Sequence, residues 1–146
     1  MCGGVHFQHG DDFMRMYFPN PKAVMPVLQK DGTQILVPWG RRQEQAGKLP
    51  LGGWARLESI YGGVWDRYFA RPVKIPVLSF MEKDFEGRAH WYDLQSGQYI
   101  QGLIARHGNE CRLYVVTLEP ELEDAQIHNR WPRVVQNGEQ SHWAKP

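Results

Sequence analysis

The sequence has little cysteine, and Cys2 and Cys111 are the only two in 146 residues. Two cysteines are too few for a disulfide framework, and the chain lacks the paired C-x-x-C or H-x-x-x-H spacing of a zinc site. No apolar run approaches the roughly 20 residues that span a bilayer, and the N-terminus lacks the pattern of a secretory signal. We therefore expect a cytoplasmic protein without a metal, another cofactor or a membrane partner.

A strong charge of either sign is also lacking, because the net charge is +1. A protein that holds duplex DNA by charge alone carries a large basic excess. Arginine and tryptophan are nonetheless prominent, with six Trp residues. Such a composition suits a groove for single-stranded nucleic acid, where bases stack and phosphates pair. It suits an ordinary soluble surface around an aromatic core equally well. Nothing in the sequence indicates an obligate protein partner.

Long helices are not expected, because 15 Gly and 10 Pro residues interrupt the chain at short intervals. Five stretches have the β-branched and aromatic content of strands: 34–37, 75–80, 90–94, 98–105 and 111–117. A turn at 95–97 between the third and the fourth predicts a hairpin. Short helices are predicted at three places: 21–29, 57–69 (helical from Trp65 on) and 120–127. These elements predict an α+β domain with mainly antiparallel strands over residues 1–135, followed by a polar, mobile C-terminal tail, 136–146.

A cysteine at the second position indicates chemistry at the N-terminus. Its side chain is small enough for Met1 to be removed in the cell, which would leave an α-amine and a thiol on Cys2. An α-amine is less basic than a lysine side chain, so part of it is neutral at pH 7 and can form a Schiff base with an aldehyde. The thiol can then close a thiazolidine ring. A small residue before Gly3 and Gly4 is equally typical of a flexible terminus.

Four further residues could contribute to such a site. Glu82 ends a predicted strand and could shuttle protons, or it could be an exposed carboxylate at a strand boundary. His128, two residues before Arg130, could pair a proton donor with a phosphate clamp, or it could lie in a capped helix end. Arg56 could bind a phosphate, or it could form a structural salt bridge with Glu58.

The order of these signals resembles that of the SOS-response-associated peptidase (SRAP) family. The similar segments follow the family's order along most of the chain: 1–4 (MCGG), 37–40 (VPWG), 54–58 (WARLE), 75–82 (IPVLSFME), 99–103 (YIQGL) and 117–132 (ending HNRWP). The chain is shorter than a typical member, as divergent and phage-associated members can be. The resemblance implies a barrel-like sheet of antiparallel strands with a few short helices.

The resemblance also implies a function, namely the covalent capture of abasic sites in single-stranded DNA. Cys2 would be the nucleophile, Glu82 the proton shuttle, and His128 would assist opening and closing of the sugar ring. Arg56 and Arg130 would hold the flanking phosphates, and the nucleic-acid surface would include two tryptophans, Trp39 and Trp54. The peptidase activity would be the removal of Met1. Such a protein would associate with the nucleoid when it binds DNA.

One departure from the family motif affects the site. Trp54 stands where the family has an asparagine that is expected to hydrogen-bond near the N-terminal cysteine, and an indole cannot accept a hydrogen bond there. Two alternatives therefore accompany covalent capture. One is a module of the same fold that binds single-stranded nucleic acid without crosslinking. The other is an N-terminal-nucleophile hydrolase that uses Cys2 with His128.

Overall fold

The computed structural model describes residues 1–119 and 130–136, which fold mainly as β-strands. The strands are β1 (Gly4–His9), β2 (Asp12–Tyr17), β3 (Val24–Leu28), β4 (Gln34–Pro38), β5 (Trp54–Arg56), β6 (Arg71–Ile75), β7 (Ser79–Lys83), β8 (Ala89–Asp93), β9 (Gln98–His107), β10 (Glu110–Leu118), β11 (Trp131–Pro132) and β12 (Val134–Gln136). One short helix, α1 (Leu57–Tyr61), and a 3-10 turn (Asp66–Tyr68) follow β5. None of the helices in these two ranges has the length and apolar content to cross a membrane.

The strands form two open sheets. The N-terminal sheet has the order β2-β1-β7-β8, and the larger sheet has the order β11-β10-β9-β6-β3-β4, with β5 beside β10 and β12 beside β9. The ladders are antiparallel except for the parallel pair of β5 and β10. The predicted α+β class with mainly antiparallel strands is thus confirmed in outline. The predicted barrel-like sheet is wrong, because the ladders end at the edge strands of each sheet and do not close.

The two sheets share one hydrophobic core because the strands of the N-terminal sheet are apolar on one face. Val5 and Phe7 of β1 and Phe80 of β7 are buried there, as is expected for alternate residues of half-covered strands. They pack in one cluster with Trp39, which follows β4, and with Leu113 of β10. A second cluster, centred on Tyr114 and Trp65, fills the other face of the larger sheet beneath α1.

Most of the predicted elements differ from those of the structure, either in type or in the strands with which they pair. The strands at 34–37 and 111–117 are confirmed as β4 and β10. Residues 75–80 are not a single strand: they comprise the end of β6, an irregular link and the start of β7. The helix predicted at 21–29 is wrong, because β3 occupies this stretch and includes Pro26. The helix predicted at 57–69 is reduced to α1 and the 3-10 turn, with Gly62 and Gly63 between them. The helix predicted at 120–127 lies outside the described residues.

The predicted hairpin has the right strands but the wrong pairing. β8 pairs with β7 in one sheet, whereas β9 pairs with β6, β10 and β12 in the other. The burial of the two strands explains the difference. Residues 100–105 of β9 are all buried, so this strand needs cover on both faces, while β8 alternates between exposed and half-buried residues. The turn at 95–97 therefore carries the chain from one sheet to the other.

The N-terminal strands and the tail complete the comparison. Sequence reasoning did not predict β1 or β2, although they form half of the N-terminal sheet. The boundary proposed at residue 135 falls within β12, which ends at Gln136. The rest of the predicted tail, 137–146, lies outside the described part of the chain.

Candidate active site

Cys2 lies two residues before β1 begins and is fully buried. The next residue, Gly3, donates its N–H to the carbonyl of Met81 at 2.9 Å and accepts the N–H of Phe18 at 3.1 Å. The Cys2 thiol contacts the carbonyl oxygen of Gly4 at 3.5 Å. The N-terminus is therefore built into the N-terminal sheet, which argues against its interpretation as a flexible terminus.

Glu82 lies beside this terminus, on β7, and its side chain is also fully buried. Its Oε2 atom is 2.9 Å from the α-amine nitrogen of Met1. Neither carboxylate oxygen has another hydrogen-bond partner among the residues that the structure describes. A buried carboxylate without such partners is costly, so the terminal amine is the group that compensates for its burial. The interpretation of Glu82 as an exposed carboxylate at a strand boundary is wrong.

Burial changes the acidity of both groups. The pKa of Glu82 is raised from its ordinary 4.5 to about 7, because burial penalises the carboxylate more than the terminal amine stabilises it. The pKa of the Cys2 thiol is raised far above its ordinary value, first by burial and then by the negative charge of Glu82. A carboxyl group that titrates near neutrality can both take up and release protons at cellular pH. Cys2 is a neutral thiol under the same conditions.

Trp54 contacts Cys2 directly. Its indole Nε1–H donates to the carbonyl oxygen of Cys2 at 2.8 Å. The ring is supported by Phe18, whose centroid lies 4.7 Å away. An indole cannot accept a hydrogen bond as an asparagine can, but it supplies the donor. Trp54 therefore fixes the backbone of Cys2 in this chain.

Trp39 belongs to the core. Its side chain is fully buried, its Nε1–H donates to the carbonyl of Gly53 at 3.0 Å, and its ring contacts Phe18 and Trp54 edge-on. A ring without exposed surface cannot stack on a nucleobase. The structure thus gives Trp39 a packing role and not the nucleic-acid contact that the sequence suggested.

Arg42 supports this aromatic cluster and was not singled out from the sequence. Its guanidinium lies 4.1 Å from the centroid of the Phe18 ring and donates to the carbonyl oxygens of Phe18 and Trp39, each at 2.6 Å. Burial, followed by the nearby charge of Arg112, lowers the pKa of Arg42. The sequence gives no signal for this role, because Arg41 and Arg42 are adjacent and equivalent by composition.

Arg130 forms the salt bridge that the sequence allowed for Arg56. The buried Arg130 guanidinium makes two contacts of 3.0 Å with the carboxylate of Glu58 and donates to the carbonyl of Thr117 at 2.8 Å. The pKa of Glu58 is lowered, first by this hydrogen bonding and to a smaller extent by the charge of Arg56. Arg56 itself is exposed and lies opposite Thr117 in the parallel ladder. Of the two arginines, Arg56 is the one placed to meet a phosphate.

The two arginines should therefore respond differently to truncation. We expect Arg130→Ala to lower the free energy of unfolding by about 1 to 3 kcal/mol, because it removes buried hydrogen bonds to Thr117 as well as the ion pair. Arg56→Ala should change it by less than about 0.5 kcal/mol, as for most exposed residues. Urea denaturation of both variants measures the difference. Equal stability of the two variants would contradict this assignment.

The remaining predicted groups lie apart from these contacts. His128 lies outside the described residues. Cys111 is half-buried on β10 and packs against the main core cluster. Two surface clefts, of about 920 Å³ and 660 Å³, contain none of the predicted site residues. The larger one lies at the end of β1 that is remote from Cys2. In residues 1–119 and 130–136, no three His, Cys, Asp or Glu side chains are grouped as metal ligands.

Comparison with family models, with curated proteins and with solved structures finds no match for this chain. The resemblance to the SRAP family therefore stays a prediction, and the candidate site is argued from its geometry.

Proposed function

We propose that this protein captures abasic sites in single-stranded DNA through the α-amine and the thiol of Cys2, after removal of Met1. The observation that carries the proposal is the 2.9 Å contact between the terminal amine and the buried Glu82. A protein has no structural need for a buried carboxylate at this position, and a well-packed apolar residue would cost less. A terminal amine that must exchange protons does need such a partner.

Removal of Met1 would shift the terminal amine by one residue, about 3.8 Å along the chain. Glu82 also acts electrostatically on the Cys2 thiol. The proposed site thus combines an amine, a thiol and a carboxyl group whose pKa is raised by burial. Trp54 holds the Cys2 carbonyl while the amine reacts.

The proposed reaction needs no oxidant, reductant or metal. The neutral Cys2 amine adds to the aldehyde carbon of the open sugar and gives a carbinolamine. Protonated Glu82 gives its proton to the departing hydroxyl, which leaves as water. The Glu82 carboxylate then takes the remaining proton from the nitrogen, so that a neutral Schiff base forms and the acid is restored. The Cys2 sulfur then adds to the C=N carbon, and its proton passes to the nitrogen. The sum is one aldehyde and one Cys2 residue converted into a thiazolidine and one water.

A second candidate is non-covalent binding of single-stranded nucleic acid by the same fold. The burial of the Cys2 thiol favours it, because an aldehyde must reach the sulfur before a ring can close. The commitment of Arg130 to Glu58 also leaves fewer groups to align a lesion. Covalent capture therefore requires that the N-terminus open when Met1 is absent.

The test is a denaturing gel of the protein with single-stranded DNA that carries one abasic site. Protein that begins at Cys2, verified by its mass, is compared with Cys2→Ala and with Cys111→Ala as the matched cysteine control. We expect a shifted band with the unchanged protein and with Cys111→Ala, because only a thiazolidine survives denaturation without a reductant. We expect no band with Cys2→Ala, whose Schiff base hydrolyses.

Two results would contradict covalent capture. One is an equal band with Cys2→Ala, which would assign the reaction to another nucleophile. The other is no band from protein verified to begin at Cys2 that still binds the strand. The second result would favour the non-covalent module.

A further inference from the structure

One face of the N-terminal sheet carries exposed aromatic rings beside its polar side chains. Phe13, Tyr17 and Trp91 are 65%, 42% and 36% exposed, respectively. Arg15 lies among them, with its guanidinium carbon 5.2 Å from the centroid of the Trp91 ring. We call these four residues the aromatic face. Exposed rings grouped on one face of a sheet are typical of a binding surface.

Two of the rings, Tyr17 and Trp91, lie in one row across the sheet with Gly4 and Met81 between them. Tyr17, Gly4, Met81 and Trp91 lie opposite one another on four adjacent strands and so share a face. Tyr17 and Trp91 lean over Gly4 and meet edge-on, with ring centroids 6.3 Å apart. A Cβ atom on Gly4 would lie 3.0 Å from Cδ1 of Tyr17. The absence of a side chain on Gly4 therefore leaves space for the Tyr17 ring on this face.

This face carries charges of both signs. Arg15 and Lys83 lie on either side of the row that contains Tyr17 and Trp91, and both are exposed. The row of Arg15 continues through His6 and Ser79 to Asp93 at the opposite edge of the sheet. A polyanion would be attracted to Arg15 and Lys83 and repelled near Asp93.

We propose that the aromatic face binds the strand beside the lesion, with bases stacked on Trp91 and Tyr17 and phosphates paired with Arg15 and Lys83. This inference rests on the proposed function and adds to it the surface that holds the flanking nucleotides. Bases stack on aromatic rings whatever their sequence, so the contact suits a protein that must act at any position in a strand. Duplex DNA is excluded, because its bases stack on each other. The row of rings includes Gly4, only two residues from Cys2, so a bound strand passes directly beside the reactive terminus.

The experiment measures the binding of a fluorescein-labelled oligothymidine of about 16 nucleotides, which has no abasic site. Trp91→Ala and Arg15→Ala are compared with Phe69→Ala and Arg67→Ala. The controls remove an exposed ring and an arginine that lies 5.9 Å from the Tyr68 ring, on the 3-10 turn beside the larger sheet. We expect Trp91→Ala to weaken binding about tenfold. Arg15→Ala should lower the slope of log K against log salt by about 0.7. The controls should stay within about twofold of the unchanged protein.

Formation of the abasic-site adduct by the same variants separates this inference from the proposed function. If the adduct forms but Trp91→Ala and Arg15→Ala behave like the controls, the aromatic face is wrong and covalent capture stands. If no adduct forms but the oligothymidine binds and Trp91→Ala weakens it, covalent capture is wrong and the aromatic face stands. Failure of the unchanged protein to bind any strand would overturn the inference. Self-association of the protein that Trp91→Ala abolishes would then assign the face to a second copy of this chain.

Discussion

Glu82→Gln is expected to slow the formation of the abasic-site adduct by about 10²- to 10⁴-fold, the usual contribution of a general acid or base. Glutamine has nearly the same shape and hydrogen-bonding reach as the protonated carboxyl group, but it cannot transfer a proton. The initial binding of an intact strand should be unchanged, because Glu82 is fully buried. The rate of band formation on a denaturing gel, measured at saturating protein, gives the effect on the chemical steps alone.

The same substitution is expected to remove the pH dependence of stability that arises at this position. The pKa of Glu82 is about 7 in the folded protein against an ordinary 4.5, so the folded state holds the proton more tightly than the unfolded state. The contribution of Glu82 to stability is therefore full below pH 4.5 and is lost as the pH rises toward 7. Relative to the unchanged protein, Glu82→Gln should gain up to about 3 kcal/mol between pH 4.5 and pH 7.5.

Urea denaturation across this pH range measures that gain. Glu58→Gln is the matched control, because the pKa of Glu58 is lowered by Arg130 and its effect has the opposite sign. The stability of Glu58→Gln relative to the unchanged protein should fall as the pH rises through the acidic range. Parallel pH profiles for the unchanged protein and Glu82→Gln would show that the buried carboxyl group does not titrate as described. In the adduct assay, a rate of adduct formation that Glu82→Gln leaves unchanged would show that Glu82 takes no part in the reaction.

Trp39→Ala is expected to lower the free energy of unfolding by about 3 to 5 kcal/mol. The residue is fully buried and its ring touches both Phe18 and Trp54, so truncation leaves a large cavity behind the N-terminus. The carbonyl of Gly53 also loses its indole donor. Urea denaturation at neutral pH measures the loss.

Trp91→Ala is the matched control for this prediction, because Trp91 is partly exposed on the aromatic face. Its effect on stability should stay below about 1 kcal/mol, and its effect on strand binding should be large. The two tryptophans thus separate a packing role from a binding role. A stable Trp39→Ala variant with weakened strand binding would restore the nucleic-acid contact that sequence reasoning gave to Trp39.

The sequence predicts the class of the fold better than its pairings. The β-branched content of β10 and the short extended segment at β4 identify these strands, because such residues fit a pleated, half-buried surface. Which strands become neighbours depends on contacts between distant residues. A turn between β8 and β9 looks like a hairpin turn by itself, and only the burial of β9 on both faces shows that it leads to another sheet. Pro26 suggested an interrupted helix, whereas β3 accommodates it as a strand residue.

The candidate site was only partly predictable, for a similar reason. Cys2 and Glu82 are 80 positions apart, and their proximity follows from the pairing of β1 with β7, which composition does not indicate. Trp54 was recognised as a departure from a motif, but its hydrogen bond to Cys2 depends on the placement of β5 beside β10. From the sequence, a salt bridge of Glu58 with Arg56 was one of two alternatives for Arg56, because the two residues are near in sequence. Arg130 is the residue that pairs with Glu58, because it directly precedes β11, which pairs with β10.

The position of β1 inside its sheet has a consequence for synthesis of the protein. β1 and β2 leave the ribosome before β7 and β8, and the sheet cannot be completed until the later pair has been made. At 5 to 20 residues per second, the two earlier strands wait for roughly 4 to 15 seconds. An isolated two-stranded hairpin is marginally stable in water, so the apolar face of β1 stays accessible to chaperones during this interval. β1 is therefore made well before β7, the strand that encloses it in the sheet.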